Sequence, residues 1–524
     1  MDTLPLTILR QIVECLDCNA DRLMLSLSCK RLFEQRHSYL HFYIYGMPLY
    51  HNYNIDKVTL NSYKQIIDQV INNKPMTVFI YTNEMNEWSK SADRRILIAG
   101  DKRYSDEWKN EVLAMPSIEC ITFSECELCP LDEKFWEGTV DFFKALRDRY
   151  QDGSIPEIKF NQTSKPLQLH NIPITDIDIS VDFNSNDDDE LGGIIRPGMF
   201  PSTLTKLCLY NNHIFEPRID LTYLRSLKTL YFSNREDQPL DGTELPASLT
   251  ELELESRLGH INLNLPPSIT DLAVYGAIRY RMDIRNPQTI RSISCYSASN
   301  ISIKDYTNLR EISFLSTNDG ELSQLTSENL PLLECMYLGF KEVTMVPINL
   351  SGLPASLKRL CIKTQRRPIA SLPSGIEWLR IHFDWFMEDV KLAGIVWPSP
   401  SLIRTLKLES YYYELTPDDI PSSVTCLKLL SHKKQVRHTA LSPNIRKLLW
   451  YGGSREHTIE LIQHLPMTIQ RFDIQVGSEL FNLRRIDSTL FIQIEDVLLR
   501  SGFIDLATLE SLLASIKERS SSDL

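Results

Sequence analysis

Basic and aromatic side chains recur at equivalent positions between residues 337 and 451 of this 524-residue chain. Each flanks an apolar residue in a short apolar-x-apolar segment, so it is expected to point away from the buried side of a strand. Cationic groups on such a face suit an acidic or phosphorylated partner, because carboxylates and phosphates accept strong charge-assisted hydrogen bonds. We therefore predict a target-binding face made of Tyr337, Arg359, Lys363, Trp378, Arg380, His382, Lys407, Lys428, Lys447 and Tyr451.

Four of these residues are predicted to form a ladder on successive strands: Arg359, Arg380, Lys407 and Lys428. Neighbouring strands lie about 4.8 Å apart, so such a ladder would address several negative charges at once. The alternative is that these residues only keep an open strand face in contact with water, because such a face needs polar side chains for solubility.

Sequence motifs of the common catalytic and cofactor sites are absent. The chain has no G-x-G-x-x-G, no G-K-[ST] phosphate loop, no G-x-S-x-G and no H-E-x-x-H. Its 11 histidines include no ligand-like pair, and three cysteines between residues 120 and 129 lack an evident fourth ligand for a structural zinc ion. We therefore predict a protein that is not an enzyme and has no cofactor or metal.

The overall composition is that of an ordinary soluble chain, with 43% apolar and 24% charged residues. A net charge of -12 argues against nonspecific binding to nucleic acid or to an acidic membrane surface. No run of 18 apolar residues is present, and the first residues do not have the pattern of a signal peptide. The 11 scattered cysteines suit reduced thiols. We expect a cytoplasmic or nuclear protein with neither nucleic acid nor membrane among its partners.

A repeated segment must position the predicted face. It consists of a proline, a short spacer and then apolar-x-x-apolar-x-apolar, as in FPSTLTKLCL ending at Leu209, LPASLTELEL at Leu254, LPPSITDLAV at Val274 and LPASLKRLCI at Ile362. Copies between residues 207 and 472 recur about every 22 residues. One short strand with a single apolar face cannot bury that face alone, so the copies are expected to stack. The predicted fold is an α/β solenoid of leucine-rich-repeat type, with a parallel β-sheet on its concave face.

Four segments are predicted along the chain. Residues 1–45 form a helical module, residues 46–199 an irregular repeat segment, residues 200–478 the regular repeats, and residues 479–524 a capping rung that ends in a helix. In the irregular segment strands alternate with helices, which is the leucine-rich-repeat plan. Its predicted helices are 62–73, 106–114 and 135–150, and its predicted strands are 77–80, 118–123, 155–160 and 174–181.

The first 45 residues differ from the repeats. Ile8, Ile12 and Leu16 recur at helical spacing, and further apolar segments begin at Leu23 and Leu32. Three short helices are the expected result. A module of about 45 residues without a metal or disulfide is below the size that is comfortably stable alone. Its apolar surface is therefore expected to serve a partner or the adjoining repeats.

The order of residues in this module resembles an F-box, the segment by which substrate receptors bind the Skp-type adaptor of cullin ubiquitin ligases. The resemblance lies in Leu4-Pro5 at the start, apolar residues at 8, 12 and 16, a helix start at Asp21, and the segment 29–33 at the end. Arg22 and Ser28 depart from the apolar residue and the valine that are usual there. The resemblance implies that the adaptor contacts Leu4, Pro5, Ile8, Ile12, Leu16, Leu23 and Cys29.

The repeats resemble the FNIP repeat, a leucine-rich-repeat relative that is abundant in social amoebae and often follows an F-box. Its F-N-x-P half is degenerate here, with the nearest trace at residues 212–217. The two resemblances imply a substrate-recognition subunit of a Skp-cullin-F-box ubiquitin ligase, which binds an unidentified target through the solenoid. Three other interpretations stay open: a repeat scaffold not associated with a ligase, an N-terminal module that only caps the solenoid, and an enzyme or GTPase-activating repeat protein, which would need a catalytic constellation that the sequence does not show.

Overall fold

The structure is a computed structural model whose contacts divide the chain into two compact units. We call residues 1–74, 88–94 and 377–524 the terminal unit, and residues 75–87 and 95–376 the middle unit. The residues that the structure describes are chiefly 4–16, 19–42, 61–66, 76–81, 95–98, 106–114, 118–124, 141–146, 157–161, 175–180 and, with short gaps, 194–516.

A proline starts the turn before many of the strands. The amide of Leu204 donates to the carbonyl of Pro201 at 3.2 Å, and the amide of Leu249 donates to Pro246 at 3.1 Å. Proline fixes φ near −65° and has no N–H of its own, so it suits the first position of a tight turn. The same bond recurs from Ile269 to Pro266, Leu357 to Pro354, Val424 to Pro421 and Ile469 to Pro466.

Parallel strands stand in register, so apolar residues of successive copies lie side by side. Leu252 pairs with Leu230 on one side and with Leu272 on the other. Burial of each such side chain contributes about 1.5–3 kcal/mol before chain entropy is subtracted, so stacking supplies the core that one strand lacks. This row, at most 2% exposed, runs through Leu207, Leu230, Leu252, Leu272, Ile293, Ile312, Met336 and Leu360.

Helices contribute little of the described structure. The α-helices are α1 (Leu6–Glu14), α2 (Asn19–Leu27), α3 (Lys30–Glu34), α4 (Arg36–Tyr39), α5 (Asp106–Ala114), α6 (Asp319–Leu322), α7 (Arg455–Gln463) and α8 (Leu506–Ser515). Single 3-10 turns lie at Asn61–Tyr63, Pro287–Thr289, Ala298–Asn300, Ile303–Asp305, Leu392–Gly394, Pro417–Asp419 and His438–Ala440.

The middle unit is built on parallel strands. In its main sheet the described strands are ordered β2-β1-β3-β4-β5-β7-β9-β10-β12-β14-β15-β16-β18, and all neighbours are parallel. Three short pairs, β6 with β8, β11 with β13 and β17 with β19, lie outside it. The strands are β1 (Met76–Tyr81), β2 (Arg95–Ile98), β3 (Ile118–Ser124), β4 (Glu157–Asn161), β5 (Asp176–Ser180), β6 (Ile194–Ile195), β7 (Lys206–Tyr210), β8 (Ile214–Phe215), β9 (Thr229–Asn234), β10 (Glu251–Ser256), β11 (Asn262–Leu263), β12 (Asp271–Tyr275), β13 (Asp283–Ile284), β14 (Ser292–Cys295), β15 (Glu311–Phe314), β16 (Cys335–Phe340), β17 (Ile348–Asn349), β18 (Arg359–Thr364) and β19 (Ile369–Ser371).

The strands of the terminal unit begin parallel and end antiparallel. From β20 to β24 each strand pairs in parallel with the next, whereas β24, β25, β26 and β27 form an antiparallel meander. The strands are β20 (Trp378–Phe383), β21 (Thr405–Glu409), β22 (Cys426–Leu430), β23 (Lys447–Tyr451), β24 (Arg471–Val476), β25 (Glu479–Arg485), β26 (Leu490–Gln493) and β27 (Gly502–Asp505).

The N-terminal helices share a core with the last strands of the same unit. Leu9, Val13 and Leu23 are buried in one cluster with Ile492 of β26. Arg22, which is fully buried, donates from Nε to the carbonyl of Leu16 at 3.2 Å and from Nη1 to that of His41 at 2.9 Å. These bonds pair two of the three guanidinium nitrogens inside the module and help to explain how a charged residue occupies a position where an apolar one was expected.

The α/β class with a large, mostly parallel sheet is confirmed. The helix expected over 106–114 is α5, but the N-terminal segment has four helices instead of three, because Gln35 leaves helical geometry between α3 and α4. Residues 125–140 and most of the remaining irregular segment, including two of the three clustered cysteines, lie outside the described residues. Among the described residues no helix has the length and apolar character needed to span a membrane.

Candidate target-binding face and N-terminal apolar surface

The outward side chains of β20–β24 form three rows across the terminal unit. They alternate with the buried residues of each strand, as the period of two requires. Row A contains Trp378, Thr405, Cys426, Lys447 and Arg471, and row B contains Arg380, Lys407, Lys428, Leu449 and Asp473. Row C contains His382, Glu409 and Leu430, and at its far end Tyr451 lies beside Gln475.

Glu409 of row C gathers three of the predicted target-binding residues around one carboxylate. Arg380 donates to its Oε2 from Nε at 2.9 Å and from Nη2 at 2.5 Å. Lys407 Nζ lies 2.6 Å from Oε1, and His382 Nδ1 lies 3.2 Å from Oε2. The side chain of Glu409 is only 11% exposed. Part of the predicted cationic ladder is therefore neutralised within the chain itself.

The protonation of Glu409 reflects these neighbours. Burial alone would raise the pKa of its carboxyl, but hydrogen bonds from Lys407 and Arg380 and their charges outweigh burial and hold the pKa below its usual range. Glu409 is therefore ionised at neutral pH, where it compensates Arg380 and Lys407.

A second carboxylate, Asp473, compensates the other end of the face. Its Oδ2 lies 2.7 Å from Arg471 Nε, and its Oδ1 lies 3.2 Å from Arg484 Nη1 of β25. Arg484 also reaches Asp21 of α2, with its Nε 3.4 Å from Oδ1. Because Asp473 is only 1% exposed, its charge has to be paired, and two arginines do this.

Lys428 and Lys447 lie between these two compensated groups. Within the described residues neither ammonium has a carboxylate oxygen within 4.0 Å. Burial, and then the charge of the neighbouring Arg471, lower the pKa of Lys447. Beside Lys447 in row A, burial raises the pKa of the Cys426 thiol, although Lys447 and Lys428 act to lower it.

The other predicted members of the face belong to the middle unit. Arg359 lies beside Cys335, whereas Tyr337 lies beside Cys361 and Lys363 beside Gly339. Arg359 is therefore not in the row of Tyr337. Of the four residues of the predicted ladder, Arg380, Lys407 and Lys428 lie side by side in row B. Arg359, the fourth, belongs to β18 of the middle unit.

The residues assigned to adaptor binding differ in exposure. Pro5 and Ile8 are exposed, Leu4, Ile12, Leu16 and Cys29 are partly buried, and Leu23 is fully buried. The assignment of Leu23 as a contact residue needs correction, because it fills the helical core and has no free surface. Pro5, Ile8 and Ile12 are spaced three and four residues apart and so lie along one side of α1.

Sequence reasoning missed both carboxylates of the face. Glu409 could have been found, since it follows Lys407 by two residues and so lies on the same side of its strand. Asp473 follows Arg471 in the same way. The partners of Arg484 gave no local signal, because Asp21 is 463 positions away along the chain.

Comparisons with known proteins give a limited result. No family model matches the chain. The chain is similar to the probable serine/threonine-protein kinase fnkA of Dictyostelium discoideum, with 31% identity over 159 residues. The similar region is 26% of this chain and 19% of the kinase. The chain thus spans less than a fifth of that relative, and the comparison does not assign it to a family.

Proposed function

We propose that this protein is the substrate-recognition subunit of a Skp-cullin-F-box ubiquitin ligase. In this function residues 1–45 bind the Skp-type adaptor, and the strand face of a leucine-rich-repeat solenoid binds the target protein. The chain contributes no catalytic group. It accelerates ubiquitin transfer by holding a target lysine near the charged enzyme, which raises the effective concentration of the reacting groups.

The observation that carries the proposal is the apolar side of α1. Ile8 is 39% exposed, and Pro5 is exposed as well. A helical module this small needs to bury most of its apolar side chains in order to be stable, so exposed ones are unexpected. Leu9 and Val13 of the same helix are fully buried, so the module already has its core. Apolar side chains left outside a completed core suit a partner surface better than water.

The second supporting observation is the outward face of β20–β24. Its cations stand at fixed spacing on strands that are held by two rows of buried residues. A rigid strand face presents side chains from several chain positions at once, which suits recognition of a protein segment.

Adaptor binding by an Ile8→Asp variant tests the proposal. The substitution places a charge on the apolar side of α1, and we expect at least a tenfold loss of Skp-type adaptor in a pull-down with purified proteins. Thr7→Asp is the matched control, because Thr7 is exposed on another side of the same helix and receives the same new side chain. Unchanged adaptor binding by Ile8→Asp, with both variants folded by circular dichroism, would overturn the proposal.

A repeat scaffold that is not associated with a ligase is the second candidate. The burial of Ile492 in one hydrophobic cluster with Leu9 and Leu23 favours it, because the helices then share their core with the terminal unit. If the chain is such a scaffold, we expect the wild-type protein to retain no Skp-type adaptor in the pull-down. We also expect deletion of residues 1–42 to unfold β25 and β26. An enzyme is not proposed, since the sequence lacks the phosphate-binding loops of nucleotide-dependent transferases.

A further inference from the structure

The outward face of β20–β24 carries more positive than negative charge. Rows A, B and C contain five residues that are cationic at neutral pH and two carboxylates, Glu409 and Asp473. The five cations are Arg380, Lys407, Lys428, Lys447 and Arg471. In a chain with a net charge of -12 this surplus is local and is not a consequence of composition.

Two of the three surplus charges lie on two neighbouring strands. Arg380 and Lys407 on β20 and β21 share one carboxylate, Glu409, and Asp473 pairs with Arg471 on β24. Lys428 on β22 and Lys447 on β23 lie between these pairs without a carboxylate partner among the described residues. They lie on adjacent strands and in adjacent rows, B and A, which are two residues apart along a strand. Their Cα atoms are therefore separated by about 8 Å.

That separation suits a single polyoxygen anion. Two lysine side chains can converge on one group from such positions, because each has four flexible methylenes. Cys426 in row A and Leu449 in row B lie beside these lysines and are apolar or weakly polar. The neighbouring carboxylate on β24, Asp473, lies beside Leu449 and is held by Arg471 and Arg484. Lys447 is partly buried beside Arg471, and burial and the charge of Arg471 lower its pKa while Asp473 acts in the opposite direction. A bound anion would add to the effect of Asp473 and favour the ammonium.

We propose that Lys428 and Lys447 form a subsite for the phosphate of a phosphorylated side chain in the bound target. A phosphate monoester carries a charge of about −1.5 to −2 at neutral pH, which matches two uncompensated ammoniums, whereas one carboxylate matches only one. The inference rests on the proposed function in taking this face as the target-binding face. It does not depend on the adaptor.

Cys426 supplies a built-in reporter of anion binding. Its thiol lies beside Lys447, and its alkylation rate follows the fraction present as thiolate. A bound dianion would disfavour the thiolate, and each unit by which the pKa rises slows alkylation about tenfold at a pH below that pKa. Cys335 is the control, because it is also the half-buried first residue of its strand but lies in the middle unit, between Glu311 and Arg359.

The first experiment titrates inorganic phosphate at constant ionic strength and follows iodoacetamide labelling of each cysteine by mass spectrometry. We expect saturable slowing at Cys426 of threefold or more and none at Cys335. Lys428→Gln and Lys447→Gln should each remove the phosphate effect, whereas Lys304→Gln, at an exposed lysine of the middle unit outside the predicted face, should leave it unchanged. An equal phosphate effect in the wild type and both Gln variants, with all proteins folded by thermal melting, would overturn the subsite.

The second experiment assigns the source of the phosphate. A degenerate phosphoserine peptide pool is compared with the same pool after phosphatase treatment, and binding to the full chain is measured by fluorescence anisotropy. We expect the phosphorylated pool to bind at least tenfold more tightly, and this preference to vanish in Lys428→Gln/Lys447→Gln. Protection of Cys426 by inorganic phosphate without any preference for the phosphorylated pool would overturn the assignment to a phosphorylated target. Loss of adaptor binding with the preference intact would overturn only the ligase function.

Discussion

Asp21 of α2 and Arg484 of β25 form an ion pair at 3.4 Å, although 463 positions separate them along the chain. Arg484 also holds Asp473, which in turn holds Arg471 in row A of the outward face. One chain of charges thus runs from the N-terminal helices to the candidate target-binding face. Its members are unequal, because Asp473 and Arg484 are buried while Asp21 is about half exposed.

This inequality gives the first prediction. Arg484→Met should lower the free energy of unfolding by about 2–4 kcal/mol, because it leaves the buried Asp473 with one cation fewer. Asp21→Asn should cost less than about 1 kcal/mol, since its pair with Arg484 is long and partly solvated. Urea unfolding followed by circular dichroism measures both. Equal losses in the two variants would contradict the ranking.

The carboxylate of Glu409 gives the second prediction, in which stability and binding change in opposite directions. Glu409→Gln should lower the free energy of unfolding by about 1–3 kcal/mol, because Arg380 and Lys407 lose the negative charge and one of the two acceptor oxygens that they share. The same change adds one uncompensated positive charge to the face, so phosphate should bind more tightly at low salt. Urea unfolding and the Cys426 labelling assay measure the two effects. Weaker phosphate binding in a folded Glu409→Gln protein would contradict this prediction.

A third prediction concerns acid sensitivity. His432 is fully buried, its Nδ1 donates to the carbonyl of Tyr411 at 2.6 Å, and its ring stacks on that of Tyr411. Burial lowers the pKa of His432 to about 4, below the usual 6.5. As the pH falls, His432 is protonated in the unfolded chain before it is protonated in the folded one. The contribution of the neutral, buried ring to the free energy of unfolding is therefore complete above pH 6.5 and is lost as the pH falls towards 4.

For this histidine we expect a loss of about 2–3 kcal/mol between pH 7.5 and pH 4.5. His432→Phe keeps an aromatic ring but has no titrating group. Between pH 7.5 and pH 4.5 its free energy of unfolding should therefore fall by about 2–3 kcal/mol less than that of the wild type. Urea titrations at the two pH values decide this. The same pH dependence in wild type and variant would show that His432 does not titrate in this range.

The fourth prediction tests the strand register of the middle unit. Leu252 is 1% exposed between Leu230 and Leu272, so Leu252→Asp should cost about 3–5 kcal/mol by burying an unpaired charge. Glu253→Lys, one residue further on the opposite side, should change stability by less than about 0.5 kcal/mol. Thermal melting of both variants is sufficient. Comparable destabilisation by the two would mean that the register is shifted by one residue.

The sequence predicts the strands well and the charge pairing poorly. The position of Leu252 inside and Glu253 outside follows from a period of two, which is a local property of the chain. The pairing of Glu409 with Arg380 depends on which strands are neighbours and on their register. The sequence repeat indicates both only when its copies are aligned with one another. Leu23 was assigned to the adaptor-binding surface by the resemblance to an F-box, whereas the structure buries it in the helical core. Ile492 belongs to the same buried cluster and comes from a strand far along the chain. No local sequence pattern predicts that these two residues share a core.

The shared core of Leu23 and Ile492 has a consequence for biosynthesis. At about 5–20 residues per second, the ribosome needs roughly 25–90 s after Leu23 to reach Ile492. Throughout that interval the first helices lack part of their permanent neighbours, and their apolar surface is open to the nascent-chain chaperones of the cell. The module can therefore reach its final packing only after Ile492 has been synthesised, so a chain stalled before that residue would display these helices in an unfinished state.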